Sequence, residues 1–391
     1  MNEVRIGIVG IGNMGSAHAK SILAGNVARL TLGAVCDIAP EKLSWASENL
    51  PGVPQFSDYH EMFASGLIDA VLIATPHYLH PTIAIDGFAA GLHVLTEKPA
   101  GVYTNQVQMM NDAAKASDRV FGIMYNQRTN PQFQKIREII KSGRLGECKR
   151  LIWIITNWYR TQAYYDSGTW RATWAGEGGG VLINQCPHNL DLWQWMFGMP
   201  TRVRATCHYG KWHNIEVEDE VTAYAEYANG ASAVFITTTG EAPGTNRLEV
   251  TGDRGKLVWE EGKLTFYELA VPERETCFTS KEGFVTPEMT VHDVPVEGEE
   301  TAHNGILLNF TNAILDGEEL LAPGEEGICG LTVSNAIHLS DWTNDWVTLP
   351  IDSDKFEAML NERRKNSHVK EHAVSEIADL RGTYNSRWSV R

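Results

Sequence analysis

The sequence predicts an α/β chain with two sheets: an N-terminal doubly wound parallel sheet, then an α/β domain built on an open, mostly antiparallel sheet. Three observations predict it. Near the N-terminus the apolar run Ile6-Gly7-Ile8-Val9 breaks into Gly10-Ile11-Gly12-Asn13-Met14-Gly15, followed by a helix-forming stretch. Strand and helix patterns then alternate to about residue 125, as parallel strands with crossover helices require. From about Lys149 the pattern changes to long strand-like runs joined by tight turns, which implies antiparallel pairing. We expect domains at 1–125 and 126–350, and an arm or tail at 351–391.

In the first part the strand candidates are Val4–Val9, Leu30–Cys36, Ala70–Ala74, His93–Thr96 and Val120–Tyr125. Helical patterns lie between them at Met14–Leu23, Glu41–Glu48, Pro81–Ala90 and Asn105–Ala116, and a transition helix covers Pro131–Lys141. The second part offers strands at Lys149–Asn157, Arg202–Tyr209, Val221–Tyr227, Ala231–Thr239, Arg247–Thr251, Lys256–Trp259 and Lys263–Glu268. Turns such as Ala228-Asn229-Gly230 and Gly252-Asp253-Arg254-Gly255 connect them. Such a sheet needs a helical layer on one face, for which Pro187–Met196, Gly305–Leu315 and Gly327–Asn344 are the candidates. Residues 352–391 are polar, with the run Glu362-Arg363-Arg364-Lys365, and read as a surface arm.

The glycine loop points to a bound dinucleotide. In a G-x-G-x-x-G turn after a strand, Gly10 permits the tight turn, Gly12 lets the backbone approach a pyrophosphate, and Gly15 lets helix and strand pack closely. The helix start, at Asn13 and Met14, offers free N–H groups to the phosphates. Asp37 ends the second apolar run roughly twenty residues beyond the last glycine, the place of an acid that holds a ribose diol. Ile38, Ala39 and Pro40 follow it, with no Arg to accept a 2′-phosphate. NAD is therefore the expected cofactor, ahead of NADP and FAD.

Composition narrows the remaining classes. The chain has 391 residues, 43% of them hydrophobic, and a net charge of −16. That balance argues against nucleic acid or an anionic membrane as partner. The six cysteines, at 36, 148, 186, 207, 277 and 329, form no C-x-x-C pair, so no metal site is expected. No apolar run reaches membrane-spanning length. With the nucleotide loop starting by residue 10 there is no room for a signal peptide, and a cytoplasmic location is expected.

Two segments carry candidate chemistry. Glu97-Lys98-Pro99 follows the apolar run Val94-Leu95-Thr96, which places Lys98 at the carboxyl end of a central strand. A lysine there can stabilise a developing alkoxide; otherwise it is a loop lysine. The run Gly178-Gly179-Gly180 leads to Asn184-Gln185-Cys186-Pro187-His188-Asn189-Leu190-Asp191. Pro187 suits a first helical turn. His188 and Asp191, three apart, share one helix face. The dipole at a helix start disfavours imidazolium, so His188 is suited to act as a neutral base, or it simply caps the helix locally.

The glycine loop, Ala74-Thr75-Pro76-His77-Tyr78-Leu79-His80, Glu97-Lys98-Pro99 and the glycine run ending in His188-x-x-Asp191 occur in an order and spacing that resembles the Gfo/Idh/MocA family of NAD(P)-dependent oxidoreductases. The resemblance covers roughly residues 1–345. It implies a Rossmann domain and an α/β domain whose open sheet serves as a homo-oligomer interface, in a dimer or tetramer. It implies oxidation or reduction of a hydroxyl on a sugar, inositol or glycoside. Thr75, His77, His80, Glu97 and Lys98 would line the cofactor side, and Lys98 and His188 match the family's catalytic pair. Many members carry Asp four residues before the His; here the residue is Asn184. An amide cannot relay a proton but can hold a hydroxyl, which puts an Asp–His relay in doubt. The Asn-Gln-x-x-His form occurs in branches resembling sugar 3-dehydrogenases.

Six of the 12 Trp lie between 153 and 195, with Tyr159, Tyr164 and Tyr165 among them. Flat aromatic faces suit pyranose rings. Trp153, Trp193 and Trp195 read as core; Tyr159, Tyr165, Trp170 and Trp174 are the candidates for substrate contact, with Asn184 and Asp191. Arg160 and Arg171 either bind a carboxylate or sulfonate on the sugar or are ordinary surface charges. Asn126, Arg128 and His303 are weaker candidates. The expected activity is NAD-dependent oxidation of a ring hydroxyl, C3 by analogy, of a small-molecule sugar or glycoside. The alternatives are a redox glycosidase, which oxidises C3 transiently, eliminates the aglycone, adds water and re-reduces, then an inositol dehydrogenase or a non-catalytic NAD sensor.

Overall fold

In the computed structural model the described residues are 2–368. The first sheet comprises β1 (Val4–Val9), β2 (Leu30–Cys36), β3 (Gln55–Phe56), β4 (Ala70–Ile73), β5 (His93–Thr96) and β6 (Phe121–Ile123). Its order is β3-β2-β1-β4-β5-β6, and every neighbouring pair is parallel. The intervening helices are α1 (Asn13–Leu23), α2 (Pro40–Asn49), α3 (Tyr59–Ala64), α4 (His80–Ala89) and α5 (Thr104–Ala116). The central strands are buried on both faces, so β4 reads as an unbroken apolar run. The order reverses between β1 and β4, and the crevice at their carboxyl ends is where a doubly wound sheet binds its ligand.

Helix α6 (Pro131–Lys141), N-capped by the Asn130 side chain, leads into the second sheet. Its strands are β7 (Cys148–Ile155), β8 (Arg202–Tyr209), β9 (Glu218–Glu226), β10 (Ser232–Thr238), β11 (Asn246–Gly252), β12 (Gly255–Glu260), β13 (Lys263–Leu269), β14 (Met289–Asp293) and β15 (Val347–Thr348). The order is β14-β13-β12-β11-β7-β10-β9-β8-β15. Only the central β7–β10 pair is parallel; the others are antiparallel. The helices of this part are α7 (Gln162–Asp166), α8 (Pro187–Phe197), α9 (Glu273–Thr279), α10 (Ala302–Asp316), α11 (Gly327–Thr343) and α12 (Ser353–Lys365).

The second sheet has two unlike faces, because alternate side chains point to opposite sides. Leu151, Trp153, Ile155, Ala233 and Phe235 are buried, and Trp193 of α8 stacks on Phe235. On the other face Ile152, Ile154, Val234 and Ile236 remain half-buried and Tyr224 is exposed. Helix α11 lies along β8 and against α8, forming the covering layer.

Besides the short β3, α3 and β15, which the sequence patterns did not mark, four elements differ from the expectation. The aromatic segment after β7, expected as a loop, contains the short helix α7. Strand β14 is mostly exposed at the sheet edge, so its sequence shows no half-buried alternation. Helix α9 buries none of its residues and is equally silent. The polar arm expected from 351 instead begins with a docked helix. Asp352 caps α12, and Phe356 and Leu360 are buried. Phe356 stacks on Trp342 of α11, and Ser353 accepts a hydrogen bond from Thr104 at the start of α5. One apolar stripe among charged residues suffices for docking, although the mean composition is polar. Residues 369–391 of the expected arm lie outside the described residues. Among the described residues no helix is long and apolar enough to cross a membrane, and all six cysteines are free thiols.

Candidate active site

A cavity of about 1480 Å³ is lined by the loops at the carboxyl ends of β1, β2, β4 and β5 and by the segment between β7 and α8. Three glycines shape its nucleotide end. Gly10 has φ +92°, and a Cβ there would lie 2.7 Å from the Ala74 carbonyl oxygen. A Cβ on Gly15 would lie 1.8 Å from the Gly10 carbonyl oxygen. The protein's own packing therefore demands both. Gly12 is different: a Cβ there would meet no atom within 4 Å, and the residue lines the cavity. Its bare backbone is accounted for by a ligand that must come close. Gly12 is also the N-cap of α1, and no side chain caps that helix. The N–H groups of Asn13, Met14 and Gly15 are thus left to an anion. Asp37 lines the same end and accepts hydrogen bonds from Ile11 N at 2.7 Å and Ala39 N at 3.0 Å. It ties the glycine loop to the end of β2 beside the fully solvated Ile38. These residues fit a dinucleotide's pyrophosphate and ribose diol.

The other end holds the charged groups. Lys98, two residues past β5, donates from Nζ to the Asn184 carbonyl at 3.0 Å. Burial, opposed by Glu97 and assisted by Arg171, lowers its pKa from the ordinary lysine value. Glu97 is buried, which alone would raise it. The hydrogen bond and charge of His18, at 2.7 Å, win and bring it to about 2. His80 clamps two strand ends, its ring nitrogens lying 2.8 Å from the Pro99 carbonyl oxygen and 2.7 Å from that of Thr75. His77 faces the cavity and is held well below the usual histidine value by burial, then by His80 and Lys98.

The glycine run is wrapped around a buried carboxylate. Glu218 accepts from Gly180 N at 2.9 Å and Leu182 N at 3.0 Å, and a Cβ on Gly180 would lie 2.0 Å from the Glu218 carbonyl oxygen. Gly178, at φ +85°, packs so closely on Val102 of the first domain that a Cβ would come within 2.3 Å of it. The run thereby delivers Asn184 and His188 to the cavity. The Asn184 amide donates to the Glu177 carboxylate, and its oxygen accepts from the Tyr164 hydroxyl at 3.3 Å. Burial raises Glu177 above the ordinary carboxylate value. His188, at the start of α8, is lowered well below the usual value by burial first and the Lys98 charge second. The direction matches the sequence expectation, but desolvation rather than the helix dipole leads it.

Of the sequence candidates, Gly10, Gly12, Asn13, Met14, Asp37, Thr75, His77, His80, Glu97, Lys98, Asn126, Arg160, Trp170, Asn184, His188 and His303 line this cavity, as does Arg171. Gly15 supports the loop from behind. Five candidates, Arg128, Asp191, Tyr159, Tyr165 and Trp174, are placed elsewhere, which corrects their expected contact with ligand. Asp191 is 1% exposed and ion-paired to Arg128, with Nη2–Oδ1 at 2.6 Å and Nε–Oδ2 at 2.9 Å. Positions three apart on a helix differ by roughly 60°, and α8 is buried all round its first turns, so a shared face does not mean a shared cavity. Tyr159 is 50% exposed and Trp174 packs against Tyr209, His338 and Trp342. Tyr165 is buried with its hydroxyl 2.7 Å from Thr239 Oγ1. The residues that do form the aromatic wall beside Trp170 are Trp158 and Tyr164. The sequence reading also missed Glu177, Glu218 and His18; the acid directly before three glycines was the one available signal.

The Arg128–Asp191 pair joins the segment after β6 to α8, and Arg128 also donates to the Leu321 carbonyl at 3.0 Å. Without Asp191 the buried guanidinium keeps Glu326, at 2.6 Å from Nη1, as its counter-charge but loses its partner on Nε and Nη2. Asp191→Ala is expected to destabilise the chain by about 1–3 kcal/mol, the cost of buried donors left unsatisfied, in urea denaturation. A loss below about 1 kcal/mol, the range of an exposed pair, would show that the pair does not brace the site.

Residues 4–125 match the family described as "Oxidoreductase family, NAD-binding Rossmann fold", and residues 133–258 match "GFO/IDH/MocA C-terminal domain". The chain is 31% identical over 206 residues to the rhizopine catabolism protein MocA of Rhizobium meliloti, a stretch covering 52% of this chain and 61% of that protein. It is 25% identical over 341 residues to inositol 2-dehydrogenase of Rhizobium meliloti (strain 1021), covering 85% and 95%. Its fold is similar to the WlbA dehydrogenase of Bordetella pertussis in complex with NADH and UDP-GlcNAcA. The TM-score is 0.76 at 27% identity, over 90% of this chain and all of that one. The glycine loop, the open cradle at Gly12 and these matches lead to one conclusion: the chain belongs to the GFO/IDH/MocA family of oxidoreductases and carries its NAD-binding Rossmann domain.

Proposed function

We propose that the protein oxidises a ring hydroxyl of a sugar or glycoside, C3 of a pyranose by analogy with the Asn-Gln-x-x-His pattern. The observation that carries this reading is that Lys98 and His188 line one cavity with the glycine loop, near enough for the Lys98 charge to depress His188. Bound NAD supplies the hydride acceptor. The neutral His188 ring takes the hydroxyl proton, and the Lys98 ammonium, aimed by its bond to the Asn184 carbonyl, stabilises the alkoxide oxygen. Trp158, Tyr164 and Trp170 offer flat faces to the ring. The relatives named as inositol 2-dehydrogenase and WlbA dehydrogenase support a polyol or sugar substrate.

The partly apolar, uncovered face of the second sheet around Ile152, Ile154, Val234 and Ile236 is suited to pairing with a second copy of the chain. Sedimentation of the full chain should give a dimer or tetramer, whereas a monomer at micromolar concentration would remove that assignment.

The activity is tested by incubating protein and NAD with sugars, inositols and aryl glycosides while following NADH and aglycone together. NADH rising in step with a keto-sugar is expected. Aglycone release over many turnovers without net NADH would replace this reading with the redox glycosidase.

The pH profile follows from the two shifts. His188 is a base only when neutral, and its pKa is lowered below 6.5, so the acid limb of kcat/KM should fall below pH 6.5. Lys98 acts as the ammonium, and its pKa is lowered from 10.5, so the alkaline limb should fall below 10.5. His188→Asn should lose the acid limb and on the order of 100- to 10,000-fold in rate. An acid limb that survives in this variant would assign the base to another residue.

A further inference from the structure

We propose that the substrate is an acidic sugar, whose carboxylate is received by the stack of Arg160, Tyr164 and Arg171 beside Lys98. This rests on the dehydrogenase reading and names its substrate class.

The two guanidinium groups flank one ring. Arg160 Cζ lies 5.1 Å from the Tyr164 centroid and Arg171 Cζ 4.7 Å from it. Each arginine also stacks on a tryptophan, Arg160 on Trp158 at 5.4 Å and Arg171 on Trp170 at 4.6 Å. All five residues line the cavity. Hydrogen bonds fix the stack: Arg160 Nη1 donates to the carbonyls of Trp158 and Tyr159 at 3.1 and 3.0 Å. Arg171 Nη1 donates to the Tyr164 hydroxyl at 2.9 Å. Among the described residues the buried Arg160 Nε has no hydrogen-bond partner.

The position is as informative as the charge. The Tyr164 hydroxyl donates to Asn184 Oδ1, and Asn184 is the residue whose carbonyl aims Lys98. The arginines lie close enough for their charges to act on Lys98. Three cations therefore meet at the reacting end. Glu97 and Glu177 act on Lys98 in the opposite sense, and the Arg171 charge acts on Glu177. A carboxylate suits the planar fork of a guanidinium in two-point geometry, and aromatic stacking has already fixed the orientation of both forks.

The test compares matched pairs: methyl glucuronoside against methyl glucoside, and the galacto pair, each titrated calorimetrically into the protein–NADH complex and assayed for turnover with NAD. The acid of a pair should bind at least tenfold tighter, and its affinity should fall as salt rises from roughly 50 to 500 mM, because the screening length shortens over that range. Arg171→Met and Arg160→Met should each lower the acid-to-neutral ratio of kcat/KM at least tenfold, with Arg171→Lys restoring part of it. A purely structural role would lower both members alike and leave the ratio and the salt dependence in place. Equal or tighter binding of the neutral member, or binding confined to glucose 6-phosphate as a control anion, overturns the carboxylate assignment. Because binding is read separately from turnover, absence of NADH from every sugar would strike the dehydrogenase reading, while the calorimetric ratio still decides this one.

Discussion

The hydrogen bond from Lys98 Nζ to the Asn184 carbonyl is the constraint on which the rest of the site depends. It joins the end of β5 in the nucleotide-binding sheet to the loop before α8, across 86 residues of sequence. A buried ammonium is strongly disfavoured without a fixed acceptor, so whatever positions Asn184 also positions Lys98. Glu218 does so through the backbone, by gathering Gly180 and Leu182 N–H groups. Glu177 does so through the side chain, by accepting from the Asn184 amide. The glycine run is what allows the chain to turn this tightly around an acid.

Buried carboxylates recur around the cavity, and their partners set their state. Glu97 and Glu177 are both desolvated, yet they move in opposite directions. Glu97 has His18 at 2.7 Å and falls to about 2. Glu177 has the Asn184 amide and the Ala172 N–H as partners, with the Arg171 charge acting on it, and still rises. The balance between burial and the partners at hand decides each direction. Asp191 is braced by Arg128 yet is also raised, by burial. The Asn184 amide, four residues before His188, is held on the Glu177 carboxylate.

The parts of this architecture legible in the sequence are those that repeat a periodic or glycine-marked pattern. Strands β1, β2 and β5 and the Gly10–Gly15 turn are fixed by local sequence alone, and so is the placement of Lys98 at a strand end. Choices between neighbours were not legible. Tyr164 and Tyr165 are adjacent, with the same side chain, and on a helix they point about 100° apart. Only the docking of α7 decides that Tyr164 faces the cavity while Tyr165 bonds to Thr239. Asp191 looked like a companion of His188 because spacing reports the helix face and not what lies against it. Helix α12 was hidden by its mean polarity, and Glu218 by its position in a strand that otherwise reads as ordinary.

The chain's net charge of −16 argues against polyanionic partners, yet it says nothing of the field at Lys98. Screening confines the influence of exposed charges to about 8 Å at physiological ionic strength, whereas groups inside a low-dielectric cavity act on one another with little loss. The local set there is Lys98, Arg160 and Arg171 with the acids Glu97 and Glu177. The same cations act on the chemistry. Burial is the larger effect on Lys98, and the arginines add to it. The Lys98 charge in turn adds to the burial that depresses His188. In the proposed reaction the group that stabilises the alkoxide thus also helps to keep the base deprotonated.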